Sequence, residues 1–474
     1  MIVKLGSKKY KNSDQLAFAQ ISKDFNNIHV NSQASRKLIY GNQLVHGVNI
    51  LISSLIFLSK KKIKLKNISC TFYRPVFLGQ KIDFFLEKKY GENYSLFIKT
   101  KNILNCVILI NINLIKDEII NKRSFKANKI EKTSQKKINN FKGKINSRNR
   151  FYKINISNFS LPNHFSKLKL LLSKDQIREI LSISYFAGMI CPGEFSLLSK
   201  IQITVNKNIL YRNKYIKFFI QKFDKRINRY EIKFLNNISG KIYAFQYILT
   251  EPEKIKNLKK INKKKFLKNK YSMIIGGSRG LGEVTSKLLA IAGSNVIISY
   301  NQGKKESELI RSEILKNLKS NCKLIKINIL KDDIKQKLKE VIKCDYFFYF
   351  ATPKIEKTNQ NKFDKSLYKK YLEFYDTKFR KLCITLNRLS KKKVKVFYPS
   401  TVFISLNNNN FKEYVAAKKV AEKNIKTLNK SLNKVKIFSY RLPIMKTNQN
   451  INIISKVKNK NAQILLPIIK NLSK

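Results

Sequence analysis

Two short stretches pair groups that can pass a proton. In D-F-N-N-I-H, Asp24 to His29, a carboxylate and an imidazole stand close in the chain, and an H-G pair follows at His46-Gly47. In Y-V-A-A-K, Tyr414 to Lys418, a phenol and an ammonium share one face if the segment is helical. Upstream of the second pair lies a glycine-rich turn, G-G-S-R-G-L-G, Gly276 to Gly282. A carboxylate and an imidazole of different acidity can serve as base and acid in one reaction. A phenol, with its pKa near 10, needs a nearby cation before it titrates usefully. Glycines between a strand and a helix let the backbone approach a phosphate at the helix N-terminus.

The flanking sequence must position these groups. Asp14 to Phe25 has apolar residues at near-helical spacing, with Ser13 or Asp14 as N-cap. A loop carries Asn26 to Val30, so Asp24 and His29 can turn into one cleft. A second helix, Val45 to Ser59, has almost no polar face and so must be buried on all sides. His46-Gly47 opens it, and free N–H groups at that end are natural oxyanion donors. Strand-like runs follow at Ile68–Phe77, Lys81–Glu87, Tyr94–Lys99 and Ile103–Leu114. This order, helix first and antiparallel strands after, recurs from about Phe151 to Thr250, with a helix at Ser173–Ile190 and four more strands. The repeat lacks the Asp/His stretch. Cys191-Pro192-Gly193-Glu194 reads first as a helix stop, with Glu194 as a secondary site candidate. From Ser272 onward strand and helix alternate, which predicts a parallel, doubly wound sheet. The expected divisions are 1–117, a basic linker 118–150, 151–252, a second basic linker 253–270, and 271–474.

The chain has 474 residues and a net charge of +69. The lysines run through every segment instead of forming a stripe, and Lys, Asn and Ile are all abundant. That pattern fits a biased codon usage better than a nucleic-acid footprint. The six cysteines are widely spaced with no C-x-x-C, which predicts free buried thiols in a reducing compartment. With three histidines and no His/Cys cluster, no metal site is expected. No signal peptide precedes Gly6, and the longest apolar stretch, Leu44–Leu58, is too short to span a bilayer, which takes about 20 residues. A cytoplasmic protein is expected.

The first quarter of the chain resembles the MaoC-type hot-dog dehydratases, or (R)-specific enoyl-CoA hydratases. The resemblance rests on K-D-F-N-N-I-H-V-N-S-Q-A at Lys23–Ala34, L-V-H-G at Leu44–Gly47 and F-Y-R-P-V-F-L-G-Q at Phe72–Gln80. Asn27 stands where the family usually has proline. The resemblance implies a catalytic Asp24/His29 pair, an oxyanion contact from the Gly47 N–H, and reversible dehydration of an (R)-3-hydroxyacyl thioester to a 2-enoyl thioester. The middle segment resembles the substrate-holding half of double hot-dog enzymes.

The last part resembles the short-chain dehydrogenase/reductases, on the glycine turn and Y-x-x-x-K. Ile275 takes the place of the family's threonine, and N-N-A-G reads Y-F-A-T at Tyr349–Thr352. The family's helix asparagine has no counterpart near Phe374–Thr377, and the segment after Lys418 is short for a substrate lid. The resemblance implies Tyr414 as acid/base, Lys418 as its partner, and Ser400 or Thr401 as the hydroxyl that orients a carbonyl. Cofactor contacts would come from Gly276, Ser278, Arg279, Gly280, Leu281, Gly282, Tyr300, Asn328 and Ala351, with Tyr414 and Lys418. No acid ends the second strand at Ser299-Tyr300-Asn301, and Arg279 with Lys304 or Lys305 could meet a 2′-phosphate, so NADPH is expected over NADH. The whole chain then reads as an α+β double hot-dog followed by an α/β Rossmann domain. It would be a fused dehydratase and 3-oxoacyl reductase of fatty-acid-type metabolism, acting on coenzyme A or acyl-carrier-protein thioesters. The resemblances also imply a homodimer. The rival readings are a reductase of a sugar or other ketone with an accessory hot-dog unit, and a non-catalytic basic scaffold.

Overall fold

The computed structural model describes residues 2–36, 38, 40–59, 63–113, 151–206, 213–247, 252–318, 320–341, 343–356, 363–406, 409–447 and 460–474. The expected linker 118–150 and residues 448–459 of the short segment after Lys418 lie outside them. The chain divides into two compact units, Met1–Ile248 and Leu249–Lys474.

In the first unit the strands are β1 (Ile2–Lys9), β2 (Lys64–Phe72), β3 (Lys81–Lys88), β4 (Asn93–Thr100) and β5 (Ile103–Asn113). They are followed by β6 (Phe151–Asn155), β7 (Ser196–Val205), β8 (Tyr215–Asp224), β9 (Arg229–Leu235) and β10 (Ile238–Gln246). All ten form one sheet in the order β1-β3-β4-β5-β2-β7-β10-β9-β8-β6. The first five strands thus run first-third-fourth-fifth-second from the edge inward, and the second five repeat that order. The halves meet where β2 pairs antiparallel with β7, Asn67 opposite Thr204 and Thr71 opposite Lys200.

Each half places a helix between its first two strands, Gly47–Leu58 in the first and Lys174–Tyr185 in the second. Val48, Leu51 and Leu55 are fully buried, and they share one core with Ile68, Phe84 and Ile108 of the strands. Burying each such side chain stabilises the fold by about 1.5–3 kcal/mol, which explains a helix with no charged residue. The second helix is more amphipathic and is anchored by Glu179. Its carboxylate accepts from Asn236 Nδ2 (2.7 Å), Asn237 Nδ2 (2.6 Å) and Ile238 N (2.7 Å), at the turn before β10. Burial lifts this carboxyl to about 7, against those donors.

Two local expectations change. The first helix is Asn12–Ser22, and Asp14 does not cap it as the N-cap residue. Its carboxylate instead accepts from the Lys11 N–H three residues back, at 2.7 Å. The loop at Asn26–Val30 holds a helical turn, Asn27–Val30, capped by the Asn26 side chain on Ile28 N.

Among the described residues the second unit has six strands, β11 (Tyr271–Ile275), β12 (Asn295–Tyr300), β13 (Cys322–Lys326), β14 (Tyr346–Tyr349), β15 (Val394–Thr401) and β16 (Val435–Leu442). Their order is β13-β12-β11-β14-β15-β16, and every pair is parallel. The direction of winding reverses between β11 and β14, and the crevice beyond their C-terminal ends is where such sheets bind ligands. Separate cores cover the two faces. One gathers Tyr371, Leu382 and Ala417, the other Leu288, Ile314 and Leu465.

The stretch expected as a second linker, 253–270, instead carries a helix, Ile255–Ile261. Ile255 and Leu258 are fully buried on this unit. The Ile255 N–H donates to Glu313 Oε1 (2.7 Å), while buried Lys287 bridges Glu283 and Glu313 at 2.8 Å each. Three residues apart, Ile255 and Leu258 make a one-turn apolar stripe that the surrounding lysines hide in the sequence. The six cysteines are free and buried. None of the described helices is long and apolar enough to cross a membrane.

Candidate functional site

Asp24 follows the first helix through Lys23, whose φ of 57° turns the chain back on itself. That turn buries the Asp24 side chain at 2% exposure. Oδ1 accepts from Asn26 N (3.2 Å), and Oδ2 accepts from Ser184 Oγ (2.6 Å) on the helix of the second half. His29 sits on the short turn Asn27–Val30. Its Nδ1 lies 2.8 Å from the Leu44 carbonyl, so Nδ1 carries the proton and Nε2 is left to act. Ligand-capable atoms of Asp24, His29 and His46 lie within 4.8 Å of one another.

His46 is more than the residue before Gly47. It is fully buried, and its ring stacks on His29 at 3.9 Å between centroids. Its Nε2 lies 3.0 Å from the Asp24 carbonyl oxygen and 4.0 Å from Oδ2. Gln15, also fully buried, faces its other nitrogen at 3.4 Å and donates to the Leu44 carbonyl at 2.7 Å. Gly47 is the first residue of the buried helix, so its N–H has no carbonyl behind it within that helix. A side chain at Gly47 would press on Phe72 (3.0 Å) and on Leu198 (3.3 Å) of the second half.

Burial raises the Asp24 carboxyl above its usual range, while the charge of His29 and the bonds from Ser184 and Asn26 oppose the rise. Burial likewise lowers His29, opposed by Asp24. The two acidities therefore move toward each other, as a pair that exchanges a proton requires. His46 is pushed well below its usual value by burial and by His29, and stays neutral.

The motif is also tied to the second half. Asn26 accepts from Phe195 N (3.1 Å) and donates to Gly193 O and Ser196 Oγ (3.3 Å each). Asn27, where a proline was expected, opens the helical turn and donates to Glu194. The turn is thus held by two side-chain ties instead of a fixed φ. Glu194 serves the Asn27 tie. Gln15 and Ser184 were not singled out from the sequence; His46 was named with Gly47, but its stacking on His29 and its contact with Asp24 were not foreseen.

In the second unit, Gly276 leaves β11 with φ of 81°, and a Cβ there would lie 2.8 Å from the Phe350 carbonyl carbon and 2.9 Å from Ala351 N. Only glycine allows that approach. A Cβ at Gly282 would overlap the Gly276 carbonyl oxygen. Gly280 and Leu281 open the helix Gly280–Ile291, Arg279 precedes it, and Ser278 is buried in the turn. The cradle of glycine backbone and helix N-terminus fits a pyrophosphate. Tyr300 ends β12. Asn328 uses its Oδ1 locally, accepting from Leu330 N at 3.1 Å. Lys304 lies 3.9 Å from Glu308, and it and Lys305 are solvent-exposed on the helix Lys304–Asn317.

Tyr414 and Lys418 share one face of the helix Lys412–Ser431, and both are buried. The Thr401 hydroxyl hydrogen-bonds Tyr414. Ser400 points the other way, donating to Glu422 at 2.5 Å, and Glu422 is clasped by Arg441 at 2.7 Å. Lys418 Nζ donates to the Pro399 carbonyl (2.6 Å) and lies 4.0 and 4.3 Å from the ring centres of Tyr375 and Tyr398. Burial pushes Tyr414 up to about 12 and Lys418 down to about 7. The departures from N-N-A-G and from the helix asparagine meet each other. Tyr349 donates to the Phe374 carbonyl (2.7 Å), and Thr352 and Tyr375 share a hydroxyl bond (2.5 Å).

Residues 5–104 match the family described as MaoC like domain, so this part of the chain carries a MaoC-like dehydratase domain. No curated protein sequence matches the chain. Among solved structures, a short chain dehydrogenase from Salmonella enterica is 14% identical, with a TM-score of 0.40, over 45% of this chain and 93% of that one. A 3-oxoacyl (acyl-carrier-protein) reductase from Agrobacterium tumefaciens with NADP bound is 14% identical, TM-score 0.36, over 39% and 73%. The FolM alternative dihydrofolate reductase 1 from Brucella canis, complexed with NADP, is 17% identical, TM-score 0.34, over 37% and 73%.

Proposed function

We propose that the MaoC-like domain works as a reversible 3-hydroxyacyl-thioester dehydratase within a double hot-dog unit, fused to an NADPH-dependent 3-oxoacyl reductase. The observation that carries this reading is the meeting of Asp24 and His29 within 4.8 Å, with His46 stacked on His29 immediately before the buried helix that Gly47 opens. One group takes the α-proton of a 3-hydroxyacyl thioester while the other protonates the departing hydroxyl. The Gly47 N–H, at the positive end of a buried helix, receives the charge that develops on the thioester oxygen. The acyl chain would lie along Phe72 and Leu198. A shared thioester made by one unit and used by the other gains from the raised local concentration that fusion provides.

For the second unit the support is the glycine cradle and the Tyr414–Thr401 pair. Gly276, Gly280 and Gly282 would hold the pyrophosphate, and Arg279 would meet a 2′-phosphate. When bound, the nicotinamide supplies a hydride to the ketone carbon. Thr401 orients the carbonyl, and Tyr414, kept protonated by burial, gives its proton to the oxygen. Lys418 shares the face of Tyr414 and steadies the phenolate that remains. Ser400 is engaged elsewhere, so Thr401 takes the hydroxyl's role.

The test is one assay with two readouts, a short 3-oxoacyl thioester with NADPH, followed by NADPH loss and by product mass. Tyr414→Phe should stop NADPH use, and Asp24→Asn should stop enoyl product. Reduction of sugars or simple ketones without any thioester turnover would overturn this reading.

A further inference from the structure

The second half of the first unit has no Asp/His pair, yet it reaches the pair of the first half. Ser184 sits near the end of the helix Lys174–Tyr185, itself anchored by Glu179, and is 2% exposed. Its hydroxyl donates to Asp24 Oδ2 at 2.6 Å, a short bond of the charge-assisted kind. Four residues on, Gly188 lies in the turn Phe186–Ile190, where a Cβ would overlap Asp24 Oδ1. One oxygen of the carboxylate is thus held by a hydroxyl and the other is backed by bare backbone. The charged or titratable groups facing this carboxylate are His29 and His46, both from the first half. What the second half offers it is neutral, a hydroxyl and a glycine. His46 Nε2, though 4.0 Å from Oδ2, lies closer to the Asp24 carbonyl oxygen, at 3.0 Å.

We propose that Ser184 is a positioning residue for the Asp24 carboxylate, so that the second half completes the acid–base site as well as enclosing substrate. This rests on the dehydratase reading above. The carboxylate can turn about its last bond, and a rotated Asp24 would present the wrong oxygen to the thioester. Ser184 holds Oδ2 and leaves Oδ1 against Gly188, which fixes that rotation. The same bond favours the charged form of Asp24 over the neutral one, opposing the effect of burial.

The experiment uses the full chain and a short 2-enoyl thioester, with hydration followed by loss of the enoyl absorbance. Wild type, Asp24→Asn, Ser184→Ala, Ser184→Thr and Gly188→Ala are compared for kcat, KM, pH profile and thermal midpoint. Removing one hydrogen bond to a charged group predicts a fall in kcat of about ten- to hundredfold for Ser184→Ala. KM should stay within about twofold, because the hydroxyl touches Asp24 and not substrate. The limb of the pH profile that belongs to Asp24 should move to higher pH. Ser184→Thr keeps the hydroxyl and should restore that limb, whereas Gly188→Ala should lower kcat by displacing the carboxylate. A wild-type kcat and pH profile in folded Ser184→Ala, with Asp24→Asn inactive, overturns the proposal and leaves the dehydratase reading standing. A loss in Ser184→Ala that tracks only a lower thermal midpoint, with the pH limb unmoved, also overturns it. No hydration by the wild type defeats the dehydratase reading, and the proposal falls with it.

Discussion

Replacing Asn26 by alanine should cost the first unit about 3 kcal/mol. The side chain is 2% exposed and makes four hydrogen bonds, while the bond to Asp24 comes from the backbone N–H and survives the change. Oδ1 accepts from Ile28 N (3.3 Å), which caps the turn bearing His29, and from Phe195 N (3.1 Å). Nδ2 donates to Gly193 O and to Ser196 Oγ, both at 3.3 Å. Loss of the cap alone is about 1 kcal/mol. The Phe195 N–H and Gly193 carbonyl then lose these partners, and a buried group left unmade costs about 1–3 kcal/mol. These bonds are long, and water can enter the space left by the amide, so the lower part of the range applies. For a unit of this size about 3 kcal/mol lowers the thermal midpoint by roughly 6–12 °C. Urea and thermal unfolding of the full chain, followed by far-ultraviolet circular dichroism, would read it. Asn26→Asp is the companion, since it keeps Oδ1 but sets an acceptor against the Gly193 carbonyl, and it should lose at least about 1 kcal/mol. If Asn26→Ala unfolds within about 1 kcal/mol of wild type, the argument that this residue joins the halves is wrong.

Three other outcomes are expected in the second unit. Gly282→Ala forces a Cβ onto the Gly276 carbonyl and should weaken NADPH binding at least tenfold, read by fluorescence titration. Thr401→Val should reduce ketone reduction by about a hundredfold or more, while Ser400→Ala, which disturbs only the Glu422 and Arg441 pair, should stay within about threefold, read by NADPH consumption. Lys418, held near 7 when folded against 10.5 as its ordinary value, binds fewer protons in the folded chain than in the unfolded one between those values. Stability from this group therefore rises with pH from about 7 to about 10 and is least below 7. Lys418→Met should flatten that rise, and urea midpoints at pH 7 and pH 9 that move in parallel for both proteins would contradict the burial argument.

That Asp24 and His29 meet was legible because they lie five residues apart, where spacing alone can bring them together. The supports of the pair were not. Gln15 approaches from the helix Asn12–Ser22, and Ser184 and Gly188 come from the distant second half, so no local pattern announces them; His46 was named with Gly47, but its stacking on His29 was not foreseen. The choice between Ser400 and Thr401 was open in the sequence for a simple reason: adjacent strand residues point to opposite faces. The structure sends Ser400 to Glu422 and places Thr401 on Tyr414. Strand and helix alternation predicted a parallel sheet, and the sheet is parallel. The helix Ile255–Ile261 escaped because its apolar stripe is two residues long within a lysine run. The Y-F-A-T departure looked damaging in isolation. In the fold its Tyr349 and Thr352 grip Phe374 and Tyr375, so two changes that seemed independent are one contact.

The pairing of β2 with β7 decides what can be cut out of this protein. A piece ending near residue 113 would keep the Asp24 and His29 motif but present β2 as a bare edge, with five consecutive ladder positions unfilled. Such an edge recruits whatever strand is at hand, including the same strand of another copy. A fragment that keeps the Asp24 and His29 site together with its second-half supports should therefore end after β10, near residue 247. A shorter fragment would aggregate, or would assemble in pairs that use the open edge to imitate the missing half.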